Sequence, residues 1–246
     1  MQPPAPSVLL VHGLGVSSSV LQPFARRLLP ELAAVAPDLR GHGQSDAAHT
    51  GYTPTEYAQD LVEVIADLRL DEPIPYIGHS LGALVGLRLA ELRPELVRWL
   101  VLLDPPLDAA LRNTEVQEVY RLRTAANGEL ERYLLERNPG GGMLLAETLA
   151  REFRQASDAA FEAMLSAPTY TVRRLAIPTL ILQADPDRGG VLGDDAAQAA
   201  ARTLGNARVV KIAGATHALH ASHPADVAAA IRTFAGYVSE DSDSSR

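Results

Sequence analysis

The sequence predicts an α/β fold: a mostly parallel, twisted sheet of about six strands, with helices on both faces and a helical block inserted between two strands. Short β-rich apolar runs alternate with helical patterns, as in strands joined by crossover helices. The runs lack strict polar alternation, which marks strands covered on both faces. Residues from about 105 to 177 hold helical pieces without a convincing strand, and so read as an insertion.

The strands are placed at Ser7–Val11, Ala34–Pro37, Ile74–Ile77, Trp99–Leu103, Thr179–Gln183 and Arg208–Ala213. The helix at Pro54–Leu68 is the most fully specified. Thr53 serves as its N-cap, Pro54 takes the first position, Glu56 completes a capping box, and Tyr57, Leu61, Ile65 and Leu68 share one face. Further helices follow Ser80, Gly193 and Ser222. Inside the inserted block, Asn138-Pro139-Gly140-Gly141-Gly142 breaks the helical pattern and reads as a connecting turn. The last residues, Ser239–Arg246, carry no apolar side chain and are expected to form a disordered acidic tail. The expected division is a core over 1–104 and 177–238, a helical cap over 105–176 and the tail over 239–246.

A chain of 246 residues fits one core, and 47% hydrophobic with 21% charged residues excludes disordered, collagen-like and coiled-coil classes. Apolar stretches such as Val8-Leu9-Leu10-Val11 fall far short of the ~20 residues of a membrane span or the ~7–15 of a signal peptide. A cytoplasmic protein without a membrane partner is expected. The absence of cysteine excludes disulfides, thiolate metal sites and a cysteine nucleophile. A net charge of −8 argues against a nucleic-acid partner, since phosphate backbones attract clustered Lys and Arg.

The strongest chemical signal is Gly78-His79-Ser80-Leu81-Gly82, a G-x-S-x-G between the strand Pro75-Tyr76-Ile77 and a helical run. A serine on such a tight turn is strained, and its neighbours at two residues on either side must be small for the backbones to approach. The turn lifts the hydroxyl to the sheet's carboxyl edge and aims the helix N-terminus at developing negative charge. A serine hydroxyl needs a base. His217 follows the last strand in the loop Gly214-Ala215-Thr216 and so reaches the same sheet edge. His220 and His223 read as local hydrogen-bonding groups, His79 flanks the nucleophile, and His42 lies in a loop bordering the pocket. Asp185 and Asp187, after the strand Pro178–Ala184, both offer an orienting carboxylate in the chain order Ser, Asp, His. His12-Gly13-Leu14-Gly15 follows the first strand, and the N–H groups of Leu14 and Leu81 would form an oxyanion hole.

With these residues the chain resembles the α/β-hydrolase superfamily, in its cap-bearing branch of small serine esterases and C–C hydrolases, over residues 7–238. The segment Asp38-Leu39-Arg40-Gly41-His42-Gly43-Gln44-Ser45 is similar to the family's D-x-R-G-H-G-x-S, and His217 through Pro224 to its G-H-x-x-H…P ending. The departures are Thr216 and Ala184 at usual glycine positions and a short leader that would leave out the family's opening hairpin. The family's count from Pro178 falls on Asp187. A shorter variant, with Gly189-Gly190 four residues on, selects Asp185, which nearness to the strand end favours. Asp104, before Pro105-Pro106, is the third candidate acid.

The resemblance implies a hydrolase that cleaves small carboxylic esters through an acyl-enzyme, with no metal or organic cofactor. Its partner would be the small-molecule ester itself, and oligomeric state is not specified. A C–C hydrolase of ring-fission products and a ligand-sensing signalling protein are the alternatives. Val116, Val119, Tyr120, Leu130, Leu144 and Leu145 either line an acyl pocket or pack the cap onto the core.

Overall fold

The computed structural model describes residues 8–28, 34–69, 73–125 and 128–244. The strands are β1 (Val8–Val11), β2 (Ala34–Val35), β3 (Ile74–His79), β4 (Val97–Leu103), β5 (Thr179–Gln183) and β6 (Ala207–Lys211). They form one parallel sheet in the order β2-β1-β3-β4-β5-β6. Every expected strand is present, though Ser7 lies outside the described residues. Ala36 and Pro37 are not part of β2.

The helices are α1 (Gln22–Leu28), α2 (Pro54–Asp67), α3 (Leu81–Leu92), α4 (Ala109–Leu122), α5 (Glu129–Arg137), α6 (Gly142–Gln155), α7 (Asp158–Ser166), α8 (Asp194–Leu204), α9 (Leu219–Ser222) and α10 (Pro224–Ser244). At α2 both halves of the capping box form, between Thr53 and Glu56. The turn between α5 and α6 is a short 3₁₀ segment at Pro139–Gly141. Helix α10 runs through residues 239–244, where a disordered acidic tail was expected. Once a helix is nucleated, each added residue closes a backbone hydrogen bond and needs no apolar contact of its own.

Alternation along the strands sorts the core into two layers. Leu9 and Val11 of β1 point to the side packed by α2, α3 and α8, while Val8 and Leu10 point to the side packed by α1 and α10. On the second side Trp99 meets the edge of Phe234, their ring centres 5.9 Å apart. The central strands are buried on both faces, as the apolar runs predicted. Strand β6 is not, because it is a sheet edge, and Val210 is 38% exposed there.

Helices α4 to α7 stand between β4 and β5 and hold a third cluster that includes Val119, Leu122, Leu130, Leu134, Leu149 and Phe161. Arg123 ties this group together. It donates to Phe153 O and Ala156 O, pairs with Asp158 at 2.5 Å, and lies 4.3 Å over the Phe161 ring.

The strand order turns back between β1 and β3, and a crevice opens there beyond the carboxyl ends of the strands. Gly13 and Leu14 leave β1 into that crevice, and Ser80 leaves β3 into it.

Candidate active site

Ser80 sits between β3 and α3 at φ 51°, ψ −114°, a left-handed conformation that costs a non-glycine residue about 1–3 kcal/mol. Its neighbours allow the turn only because they lack side chains. A Cβ on Gly78 would stand 2.3 Å from Gly82 O, and one on Gly82 would stand 2.4 Å from Val11 O. A Cβ on Gly13 would meet Ser80 Cβ at 3.2 Å, so the exit of β1 passes directly against the elbow. The N–H of Leu81 opens α3, where the first-turn amides have no partner within the helix. Leu14 lines the cavity into which Ser80 and His217 face.

His217 is held by a carboxylate, and that carboxylate is Asp104. His217 Nδ1 lies 2.7 Å from Asp104 Oδ2. Asp104 is fully buried, and its carboxylate also accepts the backbone N–H groups of Ala184 at 3.1 Å and Val191 at 2.9 Å. Facing a carboxylate, which accepts when ionised, Nδ1 is the nitrogen placed to donate, and the neutral imidazole of that tautomer carries its lone pair on Nε2.

The other two candidate acids are placed elsewhere, which corrects the preference for Asp185. Its carboxylate turns into its own loop, accepting from Asp187 N at 3.1 Å and Gly214 N at 3.0 Å. The Gly214 and Asp187 amides hold its acidity stronger than usual, in that order. Asp187 is exposed on the 3₁₀ turn Pro186–Arg188 and borders an adjoining groove that shares Arg137, Arg188 and Gly189 with the cavity of Ser80, while Asp187 itself does not line that cavity.

Sheet register explains why Asp104 wins. His79 pairs with Leu103, so the next residue of each strand, Ser80 and Asp104, stand side by side. Both have positive φ, at 51° and 44°. Each anchors its N–H on the neighbouring strand, Ser80 on Leu103 O at 3.0 Å and Asp104 on Leu182 O at 2.7 Å.

Three further histidines fix this arrangement. His79 donates from Nε2 to His217 O at 3.0 Å, fastening the loop that carries His217. Burial holds its pKa well below the ordinary value, helped by His220 and His217. His220 packs edge-on to His79, ring centres 4.6 Å apart, and burial pushes its pKa to about 4. His12 donates from Nδ1 to Gly13 O at 2.8 Å, so its Nε2 accepts from Leu39 N at 2.9 Å. It links the β1 exit to the 38–46 loop while burial drops its pKa to about 3. His42 lies behind it, ring centres 5.2 Å apart, and is not among the residues lining the cavity. Asp38 secures that loop by accepting from Ser18 N and Gln44 N.

The cavity holds about 110 Å³. Beside Ser80, His217 and Leu14 its wall is apolar, with Val16, Val119, Leu134, Leu145, Leu149 and Phe153, while Arg137, Asn138 and Arg188 bring polar groups to it. Of the residues expected to line a pocket, Val119 and Leu145 do so. Leu130 is buried in the helical cluster, Val116 and Tyr120 pack against that cluster, and Leu144 is 78% exposed.

The Alpha/beta hydrolase family model matches residues 8–230. Among curated proteins, the 2-(acetamidomethylene)succinate hydrolase of Mesorhizobium japonicum is 35% identical over 143 residues, 54% of this chain and 49% of that one. The chain spans about half the length of that relative. Among solved structures, a thermophilic esterase from Thermogutta terrifontis superposes with a TM-score of 0.77 at 25% identity, covering 95% of this chain and 90% of the other. An E-2-(acetamidomethylene)succinate hydrolase gives 0.72 at 25% identity, over 94% and 91%. By the extent of the family match, the chain belongs to the Alpha/beta hydrolase family.

Proposed function

We propose that the protein is a serine hydrolase that cleaves small carboxylic esters through an acyl-enzyme, with Ser80 as nucleophile, His217 as base and Asp104 as orienting acid. The single observation that carries the reading is the 2.7 Å contact of His217 Nδ1 with Asp104, which leaves Nε2 to act as acceptor in the cavity shared with Ser80. In the forward step Nε2 takes the Ser80 hydroxyl proton as Oγ attacks the carbonyl carbon. The imidazolium then returns that proton to the departing alcohol. Water repeats the sequence on the acyl-enzyme to release the acid. The N–H groups of Leu14 and Leu81 hold the tetrahedral oxyanion. Helices α4 to α7 act as the cap that shapes the acyl side, through Val119, Leu145 and Leu149.

The related succinate-derivative hydrolase favours a second reading, in which the same residues open a bond in a carboxylate-bearing substrate steered by Arg188, since Arg137 is already paired with Glu115 at 3.2 Å. Turnover of p-nitrophenyl esters of rising acyl length, neutral and carboxylate-bearing, separates the two, with Ser80→Ala as control and a phosphonate label located by mass spectrometry. Preference for neutral short esters and labelling of Ser80 support the first reading. More than a few per cent of wild-type turnover in Ser80→Ala defeats both.

A further inference from the structure

A second cavity, of about 500 Å³, is walled by α2, α3, α7 and the stretch after α7, and shares no lining residue with the first. Its surface is largely apolar, with Leu81, Leu84, Ala163 and Met164. Four charged side chains break that surface, Arg88, Glu91, Arg112 and Arg173, and of these Arg112 is the buried one while Arg173 is exposed. Arg112, on α4, is only 3% exposed and borders the cavity. Its Nε donates to Asn113 Oδ1 at 3.0 Å, Nη1 to Pro168 O at 3.3 Å and Nη2 to Ala167 O at 2.8 Å. All three acceptors are neutral, and one hydrogen on each Nη is left over. Among the described residues no carboxylate pairs with it. Burial alone lowers its pKa, with no acidic neighbour opposing the shift.

Arg88 on the same wall is different, because Glu91 answers its charge at 2.7 Å. The cavity therefore carries one unanswered buried cation beside an apolar hollow. A buried charge without a counter-ion is expensive, and a planar guanidinium with two spare N–H groups matches a carboxylate. The volume falls within the ~300–1,000 Å³ typical of small-molecule sites.

We propose that this cavity is a binding site for an aliphatic monocarboxylate, with its carboxylate on Arg112 and its chain along Leu81, Leu84 and Met164. The cavity shares no lining residue with the catalytic one, although it abuts the elbow at Leu81, and the proposal does not depend on the ester reading. A single carboxylate balances the single buried cation, Arg112, with Arg173 exposed at the rim, and the apolar stretch of wall at Leu81, Leu84 and Met164 favours an aliphatic chain over a hydrated inorganic anion.

The three methionines of the chain make a direct test, because Met164 lines this cavity and Met143 is 46% exposed elsewhere. Protein carrying ¹³C-methyl methionine is titrated with sodium octanoate, 1-octanol and sodium phosphate, and Met164→Leu assigns the resonance. Octanoate should shift the Met164 methyl saturably and leave Met143 in place. Octanol should bind at least about ten-fold more weakly, the equivalent of ~1.4 kcal/mol, and phosphate should produce no shift. Arg112→Gln should abolish the response. Ala163→Trp, which fills the hollow and keeps Arg112, should abolish it too, so the test survives if the arginine variant does not fold. Equal binding of octanol, a phosphate shift, no Met164 shift with octanoate, or an unchanged response in Ala163→Trp would each overturn the proposal.

Discussion

Asp104→Asn swaps an oxygen for a nitrogen and leaves the volume unchanged, so its effect can be worked from the bonds Asp104 makes. The carboxylate takes three donors, Ala184 N–H on Oδ1 and both Val191 N–H and His217 Nδ1–H on Oδ2. An amide has one oxygen. Turned toward His217, it leaves Ala184 N–H facing an NH₂ group. Turned away, it opposes Val191 N–H and forces His217 to protonate Nε2, the nitrogen that must act as base. Either way a buried backbone donor loses its acceptor, costing about 1–3 kcal/mol of stability. The imidazolium also loses its counter-charge, an attraction of about 4 kcal/mol at an effective dielectric constant of 20, or roughly 10³ in rate. The wrong tautomer brings the loss to roughly 10⁴, the magnitude known for the equivalent change in serine proteases. The expected outcome is a kcat reduced by about 10³–10⁴ in ester turnover, with KM little changed. Asp185→Asn and Asp187→Asn should stay within about ten-fold of wild type, since their carboxylates face a loop and solvent. A collapse of Asp185→Asn or Asp187→Asn beside a nearly active Asp104→Asn would refute the assignment.

Gly82→Ala should lower stability by more than about 3 kcal/mol, because its Cβ would lie 2.4 Å from Val11 O and 2.7 Å from His12 O and backbone cannot yield as a side chain does. At about 2–4 °C per kcal/mol, thermal unfolding should start roughly 6–12 °C lower, and a midpoint within about 2 °C of wild type counts against the packed elbow. Acid should destabilise the fold through histidines kept neutral by burial. His12 and His220, held at about 3 and about 4, are protonated sooner in the unfolded chain, so their contribution is complete above pH ~6.5 and shrinks as pH falls toward those values. At pH 5 the loss is about 2 kcal/mol for each, and His42 and His79 shift in the same direction. Urea midpoints at pH 7.5, 6 and 5 should decline in that order, and a constant midpoint would contradict the neutral buried state.

The sheet, the elbow and the place of His217 at the same sheet edge were legible because their signals are local. Gly78-x-Ser80-x-Gly82 names its own geometry, and β1 through β6 stand out as apolar runs between turns. The carboxylate that meets His217 was not legible in this way. Asp104 and Asp185 each end a strand at the same sheet edge, and what separates them is the direction of a side chain. Asp104, at φ 44°, sends its carboxylate under the loop of His217, whereas Asp185 is absorbed by the amides of Asp187 and Gly214. A usable cue existed in the adjacency of β3 and β4, which places the residue after Leu103 beside the residue after His79. The supporting roles of His12 and His79 were missed for a similar reason, since they depend on long-range backbone acceptors and donors that spacing does not display.

The Asp104 carboxylate grips the 184–191 loop at both ends, by the N–H of Ala184 and the N–H of Val191. Between those two clamps lie Arg188 and Gly189, which face the cavity. For an engineer, the stretch behaves as an exchangeable cassette with fixed sockets. A library of sequences and lengths inserted between them can reshape the cavity rim while Asp104 stays in register with His217. Directed evolution of substrate preference is best begun there, leaving the strand ends untouched.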